Sequence, residues 1–357
     1  MNRLPAEWDE QDGVLLAWPH ADSDWLPILA AVEPVYIEIV RQISRFERVL
    51  VVAPEVEAIR EKLRAAGVDL SRVHLYQVPT NDTWSRDFGP ITIFEEGQPV
   101  LLDFGFNGWG LKFAADRDNQ VTARLREAGA FAPIPRRLPG LILEGGSIES
   151  DGRGTLLTTA ECLLGPNRNP HLDQAQIEQV LNRLLGAQHI LWLESGYLAG
   201  DDTDSHIDTL ARLAPDDTIL HVACDDPADE HFAVLDKMAA ELRAFRTRQG
   251  RPFRLLPLPW PAAKFGPEGE RLPATYANYL VVNGAVLVPT YADRNDGKAL
   301  EVIAQAFPGR EIVGIDCSAL ILQHGSLHCV TMQLPKGVLQ MTDRTDPSDP
   351  TDRTDRK

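Results

Sequence analysis

The chain has 357 residues, 44% of them hydrophobic and 24% charged, the balance of an ordinary globular protein with enough length for one large or two smaller folded units. Fifty-two acidic against 35 basic residues leave a formal charge of −17, which repels nucleic acid and anionic membrane surfaces and draws cations inward. No apolar run is long enough to cross a bilayer, the first residues lack the apolar stretch of a secretory signal, and a cytoplasmic location is the default expectation.

Short apolar strands alternate with amphipathic helices from the start. Gly13 to Ala17 reads as a strand, 27–46 as a helix, Val49 to Ala53 as a strand, 56–66 as a helix and Val73 to Val78 as a strand. Further helices are predicted near 118–127, 172–185, 229–248 and 298–307, each followed by a strand-like stretch. Polar turns recur at 81–90, 144–152, 200–208, 278–290 and 325–335, at intervals of roughly 60 residues, which an internal repeat or a doubly wound sheet would both produce. The proline-dense stretch from Pro252 to Pro273 reads as a long surface loop and a candidate lid. No linker divides the chain, so 1–341 is expected to form a single α/β domain. Residues 342–357 have no large apolar side chain and are expected to be a disordered tail.

Four cysteines, with no CxxC pair among them, read as free thiols. Cys329 lies where a glycine-bearing turn leads into a strand-like segment, a place that suits a nucleophile or a buried structural thiol; Cys224 and Cys317 read as structural. Cys162 has no adjacent base. His206 and Asp208 form a His-x-Asp pair after an acidic run, and on a strand they would share one face. Trp84, Arg86 and Asp87 crowd into one turn, and Glu144 ends an apolar stretch ahead of two glycines. Each has a plainer reading: packing for Trp84, an Arg86–Asp87 ion pair, a solvated acidic loop for 200–208 and a turn cap for Glu144.

A carboxylate-rich pocket is wrong for stabilising an oxyanion, but it suits a guanidinium, a planar cation whose N–H edges carboxylates hold in pairs. Thiolate attack on that cation needs no metal. His206, Asp208, His328 and Cys329 are conceivable ligands, yet no HxxxH or HExxH spacing accompanies them, and His324 and His328 read as structural or rim residues.

The segments Trp84-Ser-Arg-Asp-Phe-Gly-Pro, Leu143-Glu-Gly-Gly-Ser, Asp201-Asp-Thr-Asp-Ser-His-Ile-Asp and Leu327-His-Cys-Val-Thr-Met-Gln, in this order, resemble the agmatine deiminase and bacterial-type peptidylarginine deiminase family. The resemblance implies the pentein fold, a five-fold pseudo-symmetric α/β propeller of ββαβ units. It implies Cys329 as covalent nucleophile, His206 as proton carrier, Glu144 as the carboxylate orienting His206, and Asp87 and Asp208 as guanidinium holders; the chemistry of a planar cation separately makes Trp84 a candidate face for the guanidinium or its alkyl chain, and the acidic run makes Asp202 a candidate substrate contact. The resemblance implies no cofactor and no metal, and a homo-oligomer. Agmatine is the favoured substrate because the acidic run offers Asp202 or Asp204 to its distal ammonium. Peptidylarginine or free arginine is the alternative, with Arg86 or Arg168 meeting a carboxylate, and a non-catalytic guanidine-binding protein is the alternative of a different class. The chain departs from the family at His324-Gly-Ser-Leu-His-Cys, beside the nucleophile, which bears on specificity.

Overall fold

The computed structural model describes residues 2–340, so the predicted tail lies outside the described residues. In the strand Gln11–Ala17, Val14, Leu15, Leu16 and Ala17 follow one another without alternation, and all are fully buried, as a strand covered on both faces requires. It runs parallel to Arg48–Ala53, with Leu15 opposite Leu50, and Arg48–Ala53 runs parallel to Val73–Gln77. The helices Leu29–Ser44 and Glu57–Ala65 make the crossovers. The free side of Gln11–Ala17 is taken by Met332–Pro335, antiparallel, so the last strand closes onto the first sheet.

The same plan, an antiparallel pair followed by a helix and a parallel strand, recurs around the molecule. Ile91–Glu95 and Gln98–Leu102 pair, and Val121–Glu127 leads to Arg136–Arg137. Ile148–Ser150 and Thr155–Thr159 pair, and Gln174–Leu185 leads to His189–Leu193. Ala211–Ala214 and Thr218–Val222 pair, and Phe232–Ala244 leads to Arg254–Leu258. Leu280–Val282 and Ala285–Thr290 pair, and Asp296–Ala306 leads to Glu311–Asp316. These are five ββαβ units, the pentein architecture, and buried side chains from all of them join one hydrophobic core.

Local chemistry explains the units. In Gln174–Leu185, Asp173 and Gln176 form a capping box, Ile177, Leu181 and Leu185 bury one stripe, and Gly186 at φ 72° ends the helix where a Cβ would strike the carbonyl of Asn2. The stretch 252–273, expected to be an ordered surface loop, contains three strands. Arg254–Leu258 is an edge strand parallel to Thr218–Val222, and Lys264–Phe265 pairs with Arg271–Leu272. Pro257 is tolerated because an edge strand can lack a donor, and that proline disguised the strand. Among the described residues no helix is long and apolar enough to cross a membrane.

Each unit's first strand is preceded by a tight turn: Ser85–Phe88, Gly145–Ser147 and Ile207–Leu210 are single turns of helix, and less regular turns precede Leu280 and Met332. These are the recurring polar turns of the sequence.

Candidate active site

The five turns supply the chemistry. Ser85 anchors the first of them, its hydroxyl donating to the carbonyls of Val330 at 2.8 Å and Leu15 at 3.1 Å, and Gly89-Pro90 stops the helix after one turn. Asp87 is thereby buried with Oδ2 accepting from Trp109 Nε1 at 2.9 Å and Oδ1 from the Gly146 backbone N–H at 3.0 Å. Burial pushes its carboxyl up to about 6, against the pull of His206, with Asp208 and Glu144 adding to the rise. Arg86 turns away, its Nε 3.4 Å from the His328 carbonyl and its NH1 on Gln333, so the Arg86–Asp87 ion pair does not form.

His206 and Asp208 do not share a strand face as the sequence suggested, because Ile207–Leu210 is a turn of helix. The backbone enters it through Asp204 and Ser205 at φ 65° and 63°, held by Asp201, which accepts from Thr203 Oγ1 at 2.6 Å and Ser205 N–H at 2.8 Å. His206 Nδ1 lies 3.6 Å from Asp87 Oδ1 and Nε2 lies 3.7 Å from Glu144 Oε2, ion-pair separations longer than hydrogen bonds. Burial opposes charge on the imidazole, but Asp87, Cys162 and Glu144 outweigh it and hold its pKa well above the usual range. Asp208 Oδ2 meets His328 Nδ1 at 2.7 Å, while Oδ1 is buried with no partner among the described residues.

Glu144 is fully buried and accepts from Arg168 Nε at 3.1 Å and from Cys162 Sγ at 3.7 Å. Arg168 also pairs with Asp204, which in turn takes Lys112 Nζ at 2.7 Å. Two predicted roles change as a result. Arg168 is buried among its own carboxylates and does not stand at the entrance, and Asp204 and Asp201 are already engaged, leaving Asp202 as the member of the acidic run whose carboxylate has no side-chain bond among the described residues.

Cys329 sits in the turn ahead of Met332–Pro335 and not in a strand. Its Sγ is 3.3 Å from Asn278 Oδ1, which also accepts the backbone N–H of His328 at 2.9 Å and of Cys329 at 3.3 Å. Burial, then Asp208 and Asp87, push the thiol well above its ordinary range. Asn278 was missed by sequence reasoning, although its turn was among the recurring ones. Gly146 marks where the groups meet: a Cβ there would lie 2.6 Å from His206 Nδ1, 2.9 Å from Asp87 Oδ1 and 3.1 Å from Asp208 Oδ2.

Cys329 and Asp87 open onto a cavity of about 220 Å³ walled by Trp84, Trp109 and Phe113. Trp84 is tilted against Trp25 at 5.6 Å, and its ring is packed so closely on Gly325 that no side chain fits there. Five of the residues lining the cavity are aspartates (Asp24, Asp82, Asp87, Asp201 and Asp202), and none is a lysine or arginine. The remaining histidine of the motif, His324, lines it too, with Nδ1 on the Gly200 carbonyl at 2.7 Å. Among the described residues two clusters bring potential metal-ligand atoms together, Glu144 with Cys162 and His206, and Glu7 with Glu149 and His328. In each a guanidinium, Arg168 or Arg212, already meets the carboxylates and opposes a further cation.

The sequence profile of the Porphyromonas-type peptidyl-arginine deiminase family matches residues 3–335. The chain is 33% identical to the agmatine deiminase of Pseudomonas fluorescens, an alignment covering 93% of this chain and 95% of that one. Among solved structures, a cysteine-to-serine variant of agmatine deiminase from C. jejuni with substrate bound superposes with a TM-score of 0.87 at 41% identity, over 94% of this chain and 97% of that one. A Porphyromonas gingivalis protein provisionally described as an arginine deiminase superposes with a TM-score of 0.89 at 46% identity, over 95% of this chain and 100% of that one.

Proposed function

The chain belongs to the Porphyromonas-type peptidyl-arginine deiminase family, and from that premise we propose that it is an agmatine deiminase, hydrolysing agmatine to N-carbamoylputrescine and ammonia. The observation that carries the substrate choice is the cavity wall. Among the described residues that line it are five aspartates and no lysine or arginine, so it suits a guanidinium with a second cation at its far end and offers no cationic side chain of either kind to the carboxylate of arginine.

Asp87 and Asp208 hold the N–H edges of the guanidinium, and the Trp84 ring covers its alkyl chain, a contact worth about 0.5–2 kcal/mol. Asp202 takes the distal ammonium. Cys329 enters as a thiol, kept protonated by burial and the field of the neighbouring aspartates; the arriving cation cancels that field, and the thiol proton is released to solvent as the thiolate forms. Sulfur attacks the central guanidinium carbon, His206 passes its proton to the departing nitrogen, and ammonia leaves an S-alkylthiouronium on Cys329. His206, now neutral and oriented by Glu144, takes a proton from water, whose oxygen adds to the same carbon. The C–S bond then breaks as the hydroxyl proton of the adduct passes to sulfur, releasing the ureido product and restoring the thiol. Every step uses side chains of this chain. We assign this conversion of a guanidinium to a ureido group to cytoplasmic polyamine biosynthesis, upstream of putrescine.

The test is ammonia release from agmatine, free arginine and a peptidyl-arginine at matched concentrations, with Cys329→Ser as control. The reading expects release from agmatine at a kcat/KM at least about a hundredfold above the others, a difference set by one buried uncompensated charge. Equal or greater activity on arginine overturns it.

A further inference from the structure

Behind Asp208, on the side away from the cavity, lies a buried network that the reaction as described does not use. Arg212 is its centre, with NH2 on Glu7 Oε2 at 2.7 Å, Nε on Glu149, NH1 on the Tyr279 carbonyl at 2.6 Å, and its guanidinium over the Tyr279 ring at 4.5 Å. His328, 1% exposed, stands between this network and Asp208: Nδ1 lies 2.7 Å from Asp208 Oδ2, and Nε2 lies 2.8 Å from Glu7 Oε2. Its backbone N–H is fixed in turn by Asn278 Oδ1. The imidazole is therefore held at both ring nitrogens and its backbone at a third point, which leaves it little freedom to follow Asp208.

An ionised carboxylate has no proton to give, so at 2.7 Å Nδ1 is the donor and Asp208 the acceptor. That bond engages one of the two oxygens of Asp208. The other, Oδ1, is buried with no hydrogen-bond partner among the described residues, while the pinned Oδ2 is the oxygen that lies 3.1 Å from where a Gly146 Cβ would sit, beside His206 and Asp87. A carboxylate left to itself would turn about its own axis; one pinned through Oδ2 presents Oδ1 in a fixed direction.

We propose that His328 is a positioning residue that, braced by Glu7, pins Asp208 through Oδ2 and so fixes the plane in which its carboxylate meets the guanidinium of the substrate. This rests on the reading of Asp208 as a guanidinium holder.

The test uses two amides that divide the imidazole between them. His328→Asn keeps a nitrogen near the Nδ1 position and can still donate to Asp208; His328→Gln reaches toward Glu7 and leaves Asp208 unpinned. Agmatine binding is measured by calorimetry in the full-length Cys329→Ser protein, where turnover does not interfere, with melting temperature as the control for folding. The proposal expects His328→Gln to raise Kd about tenfold or more and His328→Asn by no more than about threefold, the loss of one charge-assisted hydrogen bond against its partial retention. It further expects His328→Gln to add little once Asp208→Asn is present, since both act through one bond. If His328→Gln does not fold, Glu7→Gln, which loosens the far side of the ring, is expected to weaken binding in the same direction. Equal losses for the Asn and Gln variants, additivity with Asp208→Asn, or unchanged binding in Glu7→Gln would each overturn the proposal. Failure of Cys329→Ser itself to bind agmatine would instead overturn the functional reading.

Discussion

Gly146→Ala adds a single methyl group at the point where three functional side chains converge. The Cβ would lie 2.6 Å from His206 Nδ1, 2.9 Å from Asp87 Oδ1 and 3.1 Å from Asp208 Oδ2. Ordinary contact begins near 3.4 Å, so the imidazole must retreat by about 0.8 Å, Asp87 by about 0.5 Å and Asp208 by about 0.3 Å. His206 is buried between Asp87 and Glu144 and can move only by lengthening one of those separations. Overpacking of this kind costs roughly 1–3 kcal/mol of stability, but displacement of reacting groups by about 1 Å costs on the order of a hundredfold in rate. The expected outcome is a folded protein whose kcat/KM for agmatine falls about a hundredfold. Gly297→Ala is the control: it lies in the helix Asp296–Ala306, has nothing within 4 Å of its new Cβ, and should keep full activity with a slightly raised melting temperature. Activity of Gly146→Ala within threefold of the parent, with the fold intact, would refute the convergence argued for these groups.

Other outcomes follow from the same geometry. Asp87 is ionised above about pH 6 and neutral below it, because burial raises its pKa; kcat/KM should therefore fall as pH drops through that value, and a flat profile down to pH 4.5 would contradict its role. Alkylation of Cys329 by iodoacetamide in the free enzyme should still accelerate above pH 9, since burial, Asp208 and Asp87 disfavour the thiolate; a plateau below neutrality would count against this. Gly325→Ala should drive the Trp84 ring from its seat and raise KM for agmatine about tenfold, read from steady-state kinetics. Asp202→Asn should weaken agmatine to a similar degree while leaving a guanidine without a distal amine unaffected.

The strands and helices were legible in the sequence because their periodicity is local. Gln174–Leu185 shows its cap, stripe and terminal glycine within a few residues of itself. Arg254–Leu258 was not, since Pro252 and Pro257 imitate a loop and only pairing with Thr218–Val222 shows a strand. At the site, Asp87, Glu144, His206, Asp208 and Cys329 stood out through residue type and motif. Asn278 did not: a carboxamide signals nothing until its oxygen is found holding two backbone N–H groups and a thiol. Glu7 was equally silent, because Arg212 and His328, which give it meaning, are distant in sequence. The placement of Arg168 was likewise a tertiary fact, fixed by Glu144 on one side and Asp204 on the other.

The central claim is that Cys329 attacks the guanidinium carbon of agmatine. Its most direct test is mass spectrometry of enzyme quenched in acid during turnover of agmatine, followed by peptide mapping. The account predicts a mass gain equal to agmatine less one ammonia, located on the peptide that carries Cys329 and missing in His206→Gln only if that variant fails to release ammonia. Steady ammonia release by Cys329→Ser, or an adduct on Cys162 in place of Cys329, would contradict it.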